Sequence, residues 1–100
     1  MSSKQTLVDF ILDQISGAGS VSAKKMFGEY ALYCDGKIVA LVCNNELFVK
    51  PTVAGKAFIG DFVEGCPYVG AKPRLLISSE KLDDSEWLTN LIKITAAEVQ

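Results

Sequence analysis

Cys34, Cys43 and Cys66, together with the acidic trio Asp83, Asp84 and Glu86, are the side chains whose types and spacing could do chemistry. A thiolate attacks or ligates only where something lowers its pKa: a neighbouring His, a cation or a helix N-terminus. This chain contains no His, which removes every nucleophile–His dyad together with the commonest general base and metal ligand. Cys66 precedes Pro67 in a Gly/Pro-rich loop and reads as an exposed thiol with nothing beside it to activate it. The cysteine spacings match neither a zinc site nor a disulfide framework. Asp83, Asp84 and Glu86 have the charge to hold a divalent cation, but carboxylates also gather at helix N-termini for the dipole. Asp83 with Glu86 three residues later approximates a capping box. No Gly-rich phosphate loop precedes a helix. The inventory therefore offers no catalytic residue, no metal ligand and no cofactor site, and the expectation is that the protein is not an enzyme.

Lys24 and Lys25, with Lys50, Lys56, Lys72 and Arg74 at other element ends, form a diffuse cationic rim. Of these, Lys24, Lys25, Lys72 and Arg74 are the candidates for anion or nucleic-acid contact. The net charge of −2 and the absence of a basic stripe argue against direct DNA binding. Residues 1–100 form a single domain, since 49% hydrophobic content in 100 residues builds one core and no linker is visible. No signal peptide and no membrane-length apolar run is present. Three free thiols fit a reducing cytoplasm.

The positioning elements follow from periodicity. Leu7, Phe10, Ile11 and Ile15 mark an amphipathic helix over 4–16, with Gly17 to end it. Residues 24–52 read as three antiparallel strands joined at Asp35-Gly36 and Asn44-Asn45, two-residue turns of the kind that need positive φ. Uninterrupted pairing sets Leu32 opposite Val39 and Leu41 opposite Phe48, which assigns every side chain to a face. One face carries Phe27, Ala31, Tyr33, Ile38, Ala40, Val42, Leu47 and Val49. The other carries Tyr30, Leu32, Val39, Leu41 and Phe48, diluted by Cys34, Lys37, Cys43, Glu46 and Lys50. In this register Cys34 and Cys43 share a face, too far apart to bridge. A solvated sheet face is not so apolar, so either a second layer or another molecule covers Tyr30, Leu32, Val39, Leu41 and Phe48. Pro51 ends the third strand. Residues 53–64 predict a short helix, 65–73 a loop, and 74–79 a last strand, before a C-terminal helix opened by Asp83 and Asp84. The fold class is α+β, an antiparallel sheet of four to five strands with flanking helices, in the order helix-strand-strand-strand-helix-strand-helix.

The string Met26-Phe27-Gly28, then Tyr30, Tyr33, Asp35-Gly36-Lys37 and Ala40-Leu41-Val42, resembles the N-terminal domain of the bacterial TfoX/Sxy family. So do LFVK at 47–50 and PYVGAKPRLLIS at 67–78. The resemblance implies an α+β fold similar to secretion-chaperone-like folds, and no enzymatic activity. It also implies a regulator of natural competence that acts as a coactivator alongside a cyclic-AMP receptor protein at promoters. Such regulators carry a second, C-terminal domain, so this chain corresponds to a stand-alone copy of the first.

The leading expectation is a non-catalytic, regulatory protein-interaction domain whose partner face is Tyr30, Leu32, Val39, Leu41 and Phe48, with a homodimer as the simplest partnership. The alternative is a nucleic-acid-binding transcription accessory protein working through Lys24, Lys25, Lys72 and Arg74. A third class, small-ligand or enzymatic chemistry, rests on Cys66 alone.

Overall fold

The computed structural model describes residues 5–26 and 29–99. Lys4, and the Phe27 and Gly28 assigned above to a face and to the family motif, lie outside them. The apolar stripe of the first helix, α1 (Gln5–Gln14), buries Val8 and Ile11, with Ile15 just beyond, and a single 3-10 turn follows at Ser16–Ala18. The chain then enters β1 (Val21–Met26) and returns as β2 (Glu29–Cys34), a hairpin where only one strand was expected. β1 is an edge strand with four of its six residues exposed. Its sequence, VSAKKM, therefore carries little of the apolar alternation by which a strand is recognised.

β3 (Lys37–Cys43) and β4 (Glu46–Val49) complete the meander. Both turns adopt the predicted conformation, with φ of 52° and 82° at Asp35 and Gly36 and of 52° and 60° at Asn44 and Asn45. The β3–β4 register is the expected one, with Leu41 opposite Phe48. The β2–β3 register is not. Cys34 pairs with Lys37 and Tyr33 with Ile38, but Leu32 pairs with Ala40 and Tyr30 with Val42. Val39 is the extra residue of a β-bulge, and beyond it every residue of β2 changes its cross-strand partner.

Pro51 follows β4, and α2 (Val53–Ile59) is shorter than the predicted 53–64 because Gly60 ends it. The released segment forms β5 (Val63–Gly65), which pairs with β6 (Arg74–Ile77). β6 inserts between β4 and β5, giving one six-stranded antiparallel sheet in the order β1-β2-β3-β4-β6-β5. The fold is α+β as expected, with six strands in place of four or five. A four-residue helix, α3 (Ser79–Leu82), precedes α4 (Ser85–Glu98). The cap of α4 is Asp84, whose carboxylate accepts from the Trp87 N–H at 3.1 Å, while Asp83 terminates α3 and the predicted Asp83–Glu86 box does not form.

The helices lie on one face of the sheet. Val8, Ile11 and Ile15 join Leu82, Leu88, Leu91 and Ile92 in a single cluster with Leu32, Val42, Leu47, Val49, Leu75 and Ile77 from the strands. Phe58 and Ile59 of α2 pack against the same cluster. Polar ties fix the helices to one another. Gln14 donates to the Leu82 carbonyl at 2.8 Å, and its own carbonyl accepts from the Ser85 and Thr89 hydroxyls at 2.7 and 2.9 Å.

Candidate interaction surface

Cross-strand pairing assembles the opposite face of the sheet row by row, since directly paired residues point the same way. Ala31, Leu41, Phe48, Leu76 and Val63 form its central row from β2 to β5. Tyr33 and Ile38 lie on one side of that row, Cys43 and Glu46 on the other. Phe48 is only 4% exposed because its ring lies against the backbone of Gly65, where an added Cβ would come within 3.2 Å of it. Tyr33, Ile38, Leu41 and Leu76 are half-buried. Towards the two edges, Met26 and Val63 are exposed. The apolar exposure continues beyond β5 through Tyr68 and Val69.

The bulge divides the five residues expected to share a partner face. Tyr30, Leu32 and Val39 belong to the core under the helices, and the Tyr30 hydroxyl donates to Gln5 Oε1 at 2.9 Å. Leu41 and Phe48 lie on the helix-free face. The true companions of Leu41 and Phe48 are Ala31, Tyr33, Ile38 and Leu76, of which the unbroken register had placed the first three on the opposite side. One sequence signal pointed to this. Val39 and Ala40 are both apolar, which lets either face the core and so gives a bulge room to form.

The cationic candidates are not brought together. Lys24 and Lys25 are exposed on the β1 edge, with Lys24 Nζ 5.9 Å from the centre of the Tyr33 ring. Lys72 is exposed in the loop before β6, and Arg74 is half-buried on β6 itself. β1 and β6 are separated by four strand spacings, about 19 Å at roughly 4.8 Å each. One Arg74 amine, Nη1, is buried and has no hydrogen-bond partner.

Cys34 and Cys43 do not share a face. Cys34 lies in the core cluster, whereas Cys43 is on the helix-free side. Burial pushes the Cys34 thiol up, with Asp35 adding to it and Lys37 opposing. The Cys43 thiol is likewise raised, by burial first and then by Glu29, while Arg74 pulls it down. Both thiols are thereby held protonated and unreactive. Cys66 is the exposed one. Titration of the native protein with a disulfide reagent is expected to modify one thiol rapidly, and all three only after denaturation. Fast modification of two or more in the folded state would contradict the burial of Cys34 and Cys43. Among the described residues, no cluster of three or more Cys, Asp or Glu could hold a metal ion.

A shallow concavity of about 250 Å³ is lined by Ala18, Asp35, Lys37, Lys93, Ala96 and Ala97. The fold already uses two of its three polar side chains, those of Lys37 and Asp35. Lys37 Nζ donates to the Ala96 carbonyl at 3.2 Å, and Asp35 Oδ1 accepts from the Ser20 N–H at 2.9 Å. Among the described residues, no helix is long and apolar enough to cross a membrane.

Comparison with known proteins adds a family and a relative. The profile of the TfoX N-terminal domain matches residues 13–99. An uncharacterized 12.7 kDa protein in the trpE 5′ region of Spirochaeta aurantia is 35% identical over 97 residues, which span 97% of this chain and 84% of that protein.

Proposed function

This chain belongs to the TfoX N-terminal domain family, and from that premise we propose that it is a non-catalytic regulatory domain that works by protein contact through the helix-free face of its sheet. One observation carries the reading: the described helices all pack on one side, leaving Tyr33, Ile38, Leu41 and Leu76 half-buried on the other, with Met26 and Val63 exposed towards its edges. Contiguous apolar surface left uncovered on a small domain is a mark of an interaction site. The side-chain inventory supports the same conclusion, because the two buried thiols are held protonated and no His is present to act as a base.

The regulatory part of the proposal follows the family resemblance, in which the domain serves competence and transcription regulators. Its compartment in this proposal is the reducing cytoplasm, where three free thiols persist. Nucleic-acid contact is the weaker reading. Lys24 and Lys25 sit four strands away from Lys72 and Arg74, so the four cations make no continuous phosphate track.

The test is affinity capture from the native cell with the wild-type chain and with Leu41→Glu as bait. Wild type is expected to retain a protein that the variant loses by tenfold or more, while both baits keep the same melting temperature within a few degrees. Identical retention by two folded baits would remove the helix-free face from the proposal.

A further inference from the structure

Along β4 the helix-free face is complementary in charge to itself. β4 presents Glu46 and Phe48 to this face, and Lys50 follows by alternation after the core residue Val49. The Lys50 N–H donates to the carbonyl of the bulge residue Val39 at 2.8 Å, which keeps the chain extended past the end of β4. Four residues of extended chain separate Glu46 from Lys50 by about 13 Å, too far for an ion pair along the strand. Among the described residues neither side chain forms an ion pair. Two opposite charges therefore stand unpaired on one strand, with the apolar row of Leu41, Phe48 and Leu76 crossing between them.

A two-fold axis in the plane of a face-to-face contact, perpendicular to the strands and passing over Phe48, reverses β4 on a second copy. It sets Glu46 against Lys50 of the partner subunit, and Lys50 against Glu46 of the partner subunit. Stacked sheets lie about 10 Å apart, a gap that a Glu and a Lys reaching towards each other can span. The same operation lays the apolar row on its own copy. A phosphate-bearing partner fits less well, because Glu29 and Glu46 stand on the same end of the face.

We propose that the occupant of the helix-free face is a second copy of this chain, packed sheet to sheet as an isologous dimer and registered by two symmetric Glu46–Lys50 ion pairs flanking the Leu41–Phe48–Leu76 row. The proposal rests on the contact-surface reading above and names the partner for that surface.

Sedimentation equilibrium of the full chain between about 1 and 100 µM tests it, over a range chosen to bracket the affinity of a modest interface. Wild type is expected to show a reversible monomer–dimer equilibrium that weakens as salt is raised. Glu46→Lys and Lys50→Glu are each expected to weaken dimerisation by about tenfold, and the double reversal to restore it to within a few-fold of wild type. Circular dichroism melting of all three variants establishes that each is folded. A strict monomer at 100 µM overturns the dimer and leaves face-dependent capture of another protein standing. A dimer indifferent to the single reversals, or not restored by the double one, overturns this face as its interface. Loss of Leu41-dependent capture with a charge-reversible dimer intact removes only the requirement for a different partner.

Discussion

Leu32→Ala is expected to lower the free energy of unfolding by about 3 kcal/mol, whereas Leu41→Ala costs about 1 kcal/mol or less. The two residues stand on neighbouring strands and look equivalent in the sequence, each apolar and each flanked by apolar neighbours. Leu32 is fully buried beneath the helices, so truncation leaves a cavity that the close-packed core cluster around it cannot refill. Leu41 is half-buried on the face without helices, where water or a partner takes the vacated space. Urea unfolding of both variants at low protein concentration measures the difference, read as a shift in midpoint with an unchanged slope. Equal costs would mean that the bulge at Val39 is misplaced and that the unbroken register is the real one. The contrast matters for function, since it separates a residue that builds the domain from one that is free to make contacts.

Much of this architecture was legible because local chemistry and tertiary packing agree. The Asp35-Gly36 and Asn44-Asn45 turns declare themselves through residues that tolerate positive φ. The stripe of α1, the β3–β4 pairing and the stop at Pro51 follow from spacing alone. What escaped was decided by context. β1 packs only Val21 and Ala23 against the core, with Lys24 and Lys25 exposed on an edge, so its inner face is too small to mark it. β5 has three residues and becomes a strand only because β6 offers it a ladder. The bulge is the costliest of these. Val39 and Ala40 satisfy either register by composition, and the choice falls to the helices, which require Tyr30, Leu32, Ala40 and Val42 on one side. A displacement of one residue on β3 exchanged the candidate surface for the core on β2. The capping of α4 escaped for a smaller reason, since Asp83 and Asp84 are adjacent acids and only the short α3 before them selects the second.

Gly55→Ala is expected to destabilise the protein by about 2 kcal/mol, the reverse of what the same change does in an exposed helix, where it stabilises by up to about 1 kcal/mol. Gly55 is buried in the first turn of α2, and a Cβ there would stand 2.6 Å from Thr52 Oγ1 and 3.6 Å from Leu91 Cδ1. The Thr52 hydroxyl is the cap of this helix, accepting from the Gly55 N–H at 2.9 Å, and Thr52 is only 5% exposed. Moving it aside forfeits a cap worth about 1 kcal/mol and strands a buried polar group at a further cost of about 1–3 kcal/mol. The helix cannot relieve the clash by shifting. Glu98 of α4 receives the Val53 and Ala54 N–H groups at 2.9 and 3.2 Å, which ties the start of α2 to the end of α4. A double-mutant cycle isolates the cause, because in a Thr52→Ala background the obstructing hydroxyl is gone and Gly55→Ala regains its ordinary favourable sign. A cost that persists unchanged in that background would assign it to Leu91 instead. α2 is also the connection that carries the chain from β4 to the far edge of the sheet. Loosening it is therefore expected to raise amide exchange in β5, the strand that bears Val63 at the border of the helix-free face, while β2 and β3 keep their protection.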